Sequence, residues 1–185
     1  ISKSNDELYY VPKGKRVRLS LDTSSSAVRS LLDIGFYLRH EAAPGDFIII
    51  DEPELNLHPE NQRRIARLFA RLLNIGIRVF ITTHSDYIIR ELNTLIMMNQ
   101  DKDYIRKIME REEYKKEELI NSERVRVYVA GESQMKCDGA KRKVTCCTLT
   151  EAKIDPIYGI KVESFDETIN KMNQIQDVII WGEDE

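Results

Sequence analysis

Two adjacent carboxylates and one histidine stand directly after two short apolar stretches of this 185-residue sequence. Asp51 and Glu52 follow Phe-Ile-Ile-Ile at residues 47–50, and His84 follows Arg-Val-Phe-Ile-Thr-Thr at residues 78–83. Ionised groups at the end of a buried strand cost free energy unless a cation or a chemical task compensates for them. The purely structural alternative is a strand that runs out into an acidic turn.

Both apolar stretches are predicted to be β-strands, and one amphipathic helix lies between them. Three consecutive isoleucines predict a strand that is covered on both faces, as in the middle of a parallel sheet. Pro59 and the Asn-Ile-Gly at residues 74–76 bound the helix, so strand, helix and strand form a right-handed crossover unit with parallel strands. Because ligands of open α/β sheets collect at the carboxyl edge, Asp51, Glu52 and His84 are predicted to converge there.

These stretches resemble three motifs of ABC-type ATPases, particularly the soluble branch that includes SMC, RecF and the predicted ATPases related to overcoming-lysogenisation-defect proteins. Residues 48–53, Ile-Ile-Ile-Asp-Glu-Pro, resemble the Walker B strand. Residues 54–59, Glu-Leu-Asn-Leu-His-Pro, resemble the D-loop, and residues 82–85, Thr-Thr-His-Ser, resemble the switch-histidine loop. The three motifs occur in the order found in that family, which makes the resemblance specific.

The resemblance implies an ATP-hydrolysing domain with ATP and Mg²⁺ as cofactors. Carried over position by position, it implies that Asp51 holds the Mg²⁺ shell, Glu52 polarises the attacking water and His84 contacts the γ-phosphate. Asn56 and His58 fall in the D-loop and are assigned to nucleotide binding. Phosphoryl transfer needs such residues because it depends mainly on positioning and on charge neutralisation around a metal-bound triphosphate.

Three consecutive serines, Ser24, Ser25 and Ser26, precede a second apolar stripe at helical spacing over residues 28–36. As structure, a hydroxyl cluster at this point is a helix N-cap. As function, hydroxyls, free N–H groups and the positive end of the helix dipole make an anion site. The signature motif of the family occupies this place and binds the γ-phosphate held by the opposite subunit, although the serines depart from its common Leu-Ser-Gly-Gly-Gln form.

The sequence contains no Walker A phosphate loop. Gly14 and Lys15 lack the required glycine five residues before Gly14, where Tyr9 stands, and the hydroxyl residue after Lys15, where Arg16 stands. The resemblance covers residues 19–97 and implies the carboxyl-terminal half of an ATPase domain, with Walker A on a missing amino-terminal half. It also implies a homodimer, because in this family a second ATPase head completes each nucleotide site. The isolated chain is then expected to bind ATP poorly.

We therefore expect a partial α/β fold of the ABC-ATPase type, with parallel core strands flanked by helices and an added C-terminal β-hairpin and helix. Residues 1–99 form the ATPase half, residues 100–121 a charged helical connector, and residues 122–185 a hairpin and a helix packed on the same domain. The hairpin pairs residues 125–129 with residues 143–150. The apolar residues predicted for the final helix are Phe165, Ile169, Met172 and Ile175.

Composition limits the class of protein. Hydrophobic residues make up 42% and charged residues 32%, which suits one domain with a substantial core. The net charge of -3 provides no global basic field that would argue for nucleic acid. No long apolar run or secretory leader is visible, so a cytoplasmic protein without membrane contact is expected. The three cysteines lack the spacing of a disulfide framework or a zinc site.

Two basic clusters are the places where DNA or a partner protein, such as an effector or toxin, would bind. One lies on the helix after the D-loop and the other around an Asp-Gly turn in the C-terminal hairpin. Their members are Arg63, Arg64, Arg67 and Arg71, and Lys136, Lys141, Arg142 and Lys143. A solvated face is the simpler interpretation of each cluster, and contact with DNA or a subunit is the alternative.

Two other functions remain open. A non-catalytic scaffold would keep the fold for dimerisation or partner binding, although such a protein has no physical need for the carboxylate pair and His84. A Toprim-like metal-dependent nuclease is suggested by residues 127–132, Val-Tyr-Val-Ala-Gly-Glu, which faintly resemble the Val-Glu-Gly strand end of that domain. Ala130 stands at the position of its catalytic glutamate, however, and no Asp-x-Asp follows.

Overall fold

The computed structural model describes the backbone of residues 2–4, 7–11, 14, 16–135, 142–160 and 163–182. The chain divides into two compact units. The N-terminal unit consists of Ile1–Leu92 and Lys116–Glu118, and the C-terminal unit consists of Asn93–Lys115 and Leu119–Glu185.

The N-terminal unit is an α/β structure with a parallel strand pair and flanking helices. Its strands are β1 (Ser2–Ser4), β2 (Glu7–Tyr10), β3 (Leu19–Ser20), β4 (Phe47–Asp51) and β5 (Arg78–Thr82). Its helices are α1 (Ser26–Ser30), α2 (Leu32–His40), α3 (Pro59–Asn74) and the first part of α4 (Asp86–Met97), with a 3₁₀ turn at Lys116–Glu118. Strands β1, β2 and β3 form an antiparallel sheet in that order, and β4 pairs with β5 in parallel.

The C-terminal unit contains the predicted hairpin and final helix. Its elements include α5 (Asp103–Arg111), a 3₁₀ turn at Ser122–Arg124, β6 (Tyr128–Met135), β7 (Val144–Glu151), β8 (Ile154–Asp155), β9 (Gly159–Ile160) and α6 (Glu163–Trp181). Strands β6 and β7 are antiparallel, which confirms the hairpin, although its first strand begins at Tyr128 and not at Val125. Within the described ranges, no helix is both long enough and apolar enough to cross a membrane.

Helix α3, which connects the two parallel strands in sequence, contributes most of the buried residues of the N-terminal core. It begins with Pro59, whose missing N–H is harmless at the first helical position, and the His58 Nδ1 accepts a hydrogen bond from the Glu60 N–H. It ends before Gly76, which has a φ of 94°. Its buried residues are Ile65, Ala66, Phe69, Ala70 and Leu72. Burying side chains of this size contributes about 1.5–3 kcal/mol for each large one, so this stripe fixes the helix against the sheet.

The prediction that β4 is covered on both faces is wrong. Ile48, Ile50, Val79 and Ile81 pack against the hydrophobic core. On the other face, Phe47, Ile49 and Phe80 are 54%, 68% and 50% exposed. Successive strand residues point to opposite faces, and the described part of the N-terminal unit buries only one face of this strand pair.

The arginine row on α3 is not the solvated face that the sequence favours. Arg63 Nε and Arg67 Nε donate to the two carboxylate oxygens of Glu91, at 2.7 and 2.6 Å, and the Glu91 side chain is only 3% exposed. Arg71 pairs with the buried Glu118. Buried carboxylates need such partners because an unpaired buried charge is costly. Three of the four arginines therefore tie α3 to neighbouring elements, whereas Arg64 is mostly exposed.

Helix α6 is largely surrounded by solvent within its own unit. All of its residues from 170 onward are exposed, including Met172 and Ile175 of the predicted stripe. The side chains of Phe165 and Ile169 lie outside the described residues. The helix itself is confirmed, but its apolar residues from 170 onward do not pack into a core.

Candidate active site

The parallel pairing of β4 and β5 creates the edge at which the candidate site lies. The register places Phe47 opposite Arg78 and Asp51 opposite Thr82. Since α3 connects the two strands, the predicted crossover of strand, helix and strand is confirmed. The residues that follow the two strands consequently leave the sheet at the same end.

Glu52 and His84 approach each other at this edge. The distance from His84 Nε2 to Glu52 Oε1 is 3.5 Å, so the two groups form an ion pair when the imidazole is protonated. The side chain of His84 is 89% exposed and that of Glu52 is 35% exposed. The structure thus brings together two of the predicted catalytic groups in a position open to a solute.

Thr82 organises the acidic end of β4 and was missed in the sequence. Its Oγ1 donates a hydrogen bond to Asp51 Oδ1 and accepts one from the Glu52 N–H at 3.2 Å. The Glu52 N–H also reaches the carbonyl oxygen of Thr82 at 3.1 Å. This single threonine therefore holds both consecutive acids. In the sequence, Thr82 is visible only as a hydroxyl residue at the end of β5. Its contact with Asp51 and Glu52 depends on the register between β4 and β5.

Glu54 is the first residue of the predicted D-loop, and its sequence position predicts no role for it. Its Oε1 accepts hydrogen bonds from Thr83 Oγ1 at 2.8 Å and from the backbone N–H of His84 at 2.7 Å. The Thr83 hydroxyl oxygen in turn accepts from the Ser85 N–H at 3.0 Å. The loop after β4 and the loop after β5 are therefore connected directly through one carboxylate.

The serine cluster caps a short helix. Ser24 is buried and its hydroxyl donates to the Ser20 carbonyl oxygen at 2.8 Å. Ser25 Oγ accepts from the Val28 N–H at 3.4 Å and is the N-cap of α1, which confirms the structural interpretation of a cap. Ser26 is the first helical residue and is exposed.

The helix that follows these serines is shorter than predicted. The apolar stripe over residues 28–36 indicated one continuous helix, but α1 ends after 5 residues. Leu31 has φ and ψ of -91° and 1°, and it is both the C-cap of α1 and the N-cap of α2. The same stripe is therefore divided between two helices that meet at Leu31, which periodicity alone does not reveal.

Asn56 and His58 organise the backbone around the candidate site. Asn56 has a positive φ of 62°, and its Nδ2 donates to Ser30 Oγ at 3.3 Å, so it connects the loop after β4 to α1. His58 caps α3 through its Nδ1. The side-chain hydrogen bonds of these two residues therefore go to Ser30 and Glu60, and not to the acids at the strand edge.

The carboxylates suit a magnesium ion that is shared with a ligand better than an all-protein metal site. Within the part of the chain that the structure describes, no group of three or more His, Cys, Asp and Glu side chains is arranged to hold a metal ion. Mg²⁺ at phosphate sites normally uses one or two carboxylates and takes its other ligands from water and the phosphates. Asp51 is exposed and uses one oxygen for Thr82, so it fits that limited role.

The C-terminal hairpin does not reproduce a strand-end acidic site. Glu132 lies in the middle of β6, opposite Cys147 of the antiparallel partner. Cys146 is partly buried, with its Sγ 3.7 Å from the Ser133 carbonyl oxygen, and Cys147 is exposed. Cys137 and the basic residues Lys136 and Lys141 lie outside the described residues. Arg142 and Lys143 are exposed, as expected for a solvated tip.

A polar contact also fixes the opposite end of β4. The Tyr37 hydroxyl donates to Asp46 Oδ2 at 2.6 Å, and this hydrogen bond raises the pKa of Tyr37 to about 12. The same hydrogen bond, followed by one from the Ala43 N–H, lowers the pKa of Asp46 below its usual value. The turn that delivers the chain into β4 is thus held by an ionised aspartate.

The region that contains this site is similar to a known protein family. Residues 2–89, just under half of the chain, match the family described as AAA ATPase domain. This match supports a P-loop ATPase relationship for the N-terminal unit. A solved structure described under "Structural biochemistry of ATP-driven dimerization and DNA stimulated activation of SMC ATPases" aligns with 92% of this chain and 72% of its own, at 15% identity and a TM-score of 0.43. No curated protein sequence matches the chain.

Proposed function

We propose that the carboxyl edge of β4 and β5 is part of an ATP-hydrolysing site. The observation that carries the proposal is the 3.5 Å approach of His84 to Glu52, on the strand edge that also bears Asp51. The AAA ATPase domain match over the same residues supports it. The reaction class is hydrolysis of a nucleoside triphosphate, with water as the nucleophile.

Glu52 is proposed as the general base. Its carboxylate is part exposed and therefore accessible to a water molecule, from which it would accept a proton during attack. His84 is proposed to donate a hydrogen bond to a terminal phosphate oxygen. An imidazole and a carboxylate held side by side can act on the same reaction. The carboxylate removes a proton from the attacking water, and the imidazole stabilises the negative charge on the phosphate.

Asp51 is the residue proposed to hold Mg²⁺. When bound, the ion would neutralise charge on the phosphates of ATP. Thr82 holds one oxygen of Asp51 and leaves the other oxygen without a hydrogen-bond partner among the described residues. Thr82 also keeps the Asp51 carboxylate next to the Glu52 backbone, so the metal ligand and the base are positioned together.

We extend the proposal to a second ATPase head. A triphosphate requires a phosphate-binding loop, and we propose that a Walker A segment outside these 185 residues supplies it. In this arrangement two copies meet, and the serine cluster of one copy faces the nucleotide of the other. Ser26 is the preferred contact because the hydroxyls of Ser24 and Ser25 are used by Ser20 and Val28. Asn56 and His58 would then act by shaping the loop between the heads.

Steady-state ATP hydrolysis by the full-length gene product tests this function. Glu52→Gln removes the base with almost no change in shape, so turnover should fall about 10²- to 10⁴-fold. ATP binding should persist, since Asp51 and the phosphate loop are unchanged. Glu41→Gln is the matched control, because Glu41 is an exposed glutamate at the end of α2 and should have no effect.

The same assay separates the enzyme from a scaffold. Wild-type protein that binds its partner but shows no magnesium-dependent hydrolysis would contradict the proposal and favour a non-catalytic function. Equal turnover by wild type and Glu52→Gln would likewise exclude Glu52 as the base.

A further inference from the structure

Glu54 makes an unusual use of a carboxylate. Both of the hydrogen bonds that its side chain accepts, from Thr83 Oγ1 and from the His84 N–H, go to Oε1. Its Oε2 is buried and, among the described residues, has no hydrogen-bond partner. Withdrawing a carboxylate oxygen from water without a partner costs free energy. A loop selected only for stability would favour a residue without this cost.

The loop that carries Glu54 also has a left-handed backbone conformation on both sides of it, and this conformation is unfavourable at Glu52. Glu52 and Asn56 have φ values of 44° and 62°, in the left-handed region, which asparagine tolerates but which is uncommon for a glutamate. Such conformations persist where the surrounding structure holds them, and they cluster at functional sites. The turn hydrogen bonds from Leu55 to Glu52 and from Leu57 to Glu54 close the loop on itself.

The Glu54 side chain has a different task, because it ties this loop to the loop after β5. The imidazole of His84 is 89% exposed, so neighbouring side chains do little to hold it in place. Its position next to Glu52 depends on the backbone at His84, and Glu54 accepts the hydrogen bond from that backbone N–H. Loss of Glu54 would free the backbone from which the imidazole projects.

We propose that Glu54 is a positioning residue that sets the separation between Glu52 and His84. It acts through its hydrogen bonds to Thr83 and His84 and does not itself touch the reacting atoms. This inference rests on the proposed ATP-hydrolysing function, but the contact between the two loops can be measured without any turnover.

Amide hydrogen exchange followed by NMR on the full-length gene product, without nucleotide, tests the structural part. In Glu54→Ala the His84 amide should exchange about tenfold faster or more, because its acceptor is gone. In Glu54→Gln the exchange should stay near the wild-type rate, since the amide oxygen accepts the same two hydrogen bonds. The Phe69 amide in α3 reports the core and should not change, and Glu41→Gln is again the exposed control.

Kinetics of the full-length gene product test the functional part. Glu54→Ala should lower kcat for ATP hydrolysis about tenfold and leave KM for ATP unchanged, because the loss affects alignment rather than binding. Glu54→Gln should restore most of kcat. If Glu54→Ala does not fold, Thr83→Val removes one of the two donors with little change of shape, and it should produce a smaller loss with the same pattern.

Three results would overturn the inference. One is unchanged His84 exchange in Glu54→Ala. Another is equal acceleration at His84 and Phe69, which would make Glu54 a general stabiliser. The third is a kcat loss in Glu54→Gln as large as in Glu54→Ala, which would assign the effect to charge. If the wild-type protein hydrolyses no ATP, the proposed function fails, while the exchange data still decide whether Glu54 holds the His84 loop.

Discussion

Helix α3 and the described part of α6 both carry large apolar side chains but lie in opposite environments. Ile65 of α3 is 4% exposed and shares a core with Ile88 of α4, whereas Ile179 of α6 is 76% exposed. An apolar stripe was predicted for each helix, so a packed face was expected for both. The comparison teaches that periodicity identifies an apolar face but does not identify what covers it. In the N-terminal unit, the strand pair and α4 supply the cover.

The largest effect that tests this comparison is expected from paired isoleucine truncations. Ile65→Ala should lower the free energy of unfolding by about 2–5 kcal/mol, because it leaves a cavity in the core. Ile179→Ala removes the same atoms from an exposed site and should change it by about 0.5 kcal/mol or less. Urea denaturation followed by far-UV circular dichroism measures both.

The two variants also show how the comparison would fail. A loss for Ile179→Ala as large as that for Ile65→Ala would mean that α6 is buried in solution. The single tryptophan, Trp181, lies at the end of α6, so its fluorescence gives an independent signal for that helix. The native protein is expected to show the red-shifted emission of a solvent-exposed tryptophan.

A smaller effect on stability, one that depends on pH, is expected from the contact between Tyr37 and Asp46 in the N-terminal unit. The hydrogen bond of Tyr37 with Asp46 lowers the pKa of the aspartate below 3.8 and raises the pKa of the tyrosine from 10.0 to about 12. The stability that this contact provides is therefore fully present between pH 3.8 and pH 10. It is lost as the pH falls through the pKa of Asp46 in the folded protein, and again as the pH rises toward 12.

Tyr37→Phe should consequently lower Tm at neutral pH and should match the wild type more closely in acid. Thermal unfolding followed by circular dichroism at a series of pH values measures this difference. A Tm difference that is constant from neutral to acidic pH would show that the contact does not depend on an ionised Asp46.

The sequence predicted the crossover correctly because the signals for its parts are local. An isoleucine run, Pro59 at the start of α3 and Gly76 after its end each act through neighbouring residues. The open face of the strand pair was not predictable in this way. A run of three isoleucines is compatible with a strand that is buried on one face or on both. The arginine row was misjudged because Glu91 and Glu118, its partners, are distant in sequence.

The residues of the candidate site also differ in whether local sequence signals or the three-dimensional structure reveal them. Asp51, Glu52 and His84 were identifiable because they lie at or just after the ends of two strands, and parallel strands end at one edge. Thr82 and Glu54 were not, because their roles depend on which atoms the register places within hydrogen-bond distance. For the serine cluster, the cap by Ser25 was predictable from type and position, whereas the burial of Ser24 required the fold.

A double-mutant cycle on ATP hydrolysis tests most directly whether Glu52 and His84 act at one site. The four proteins are the wild type, Glu52→Gln, His84→Ala and the double variant, each as the full-length gene product. If the two residues serve the same displacement, each single change should reduce kcat and the double variant should be scarcely slower than Glu52→Gln. Losses that multiply, or a His84→Ala variant with wild-type kcat, would contradict a shared site.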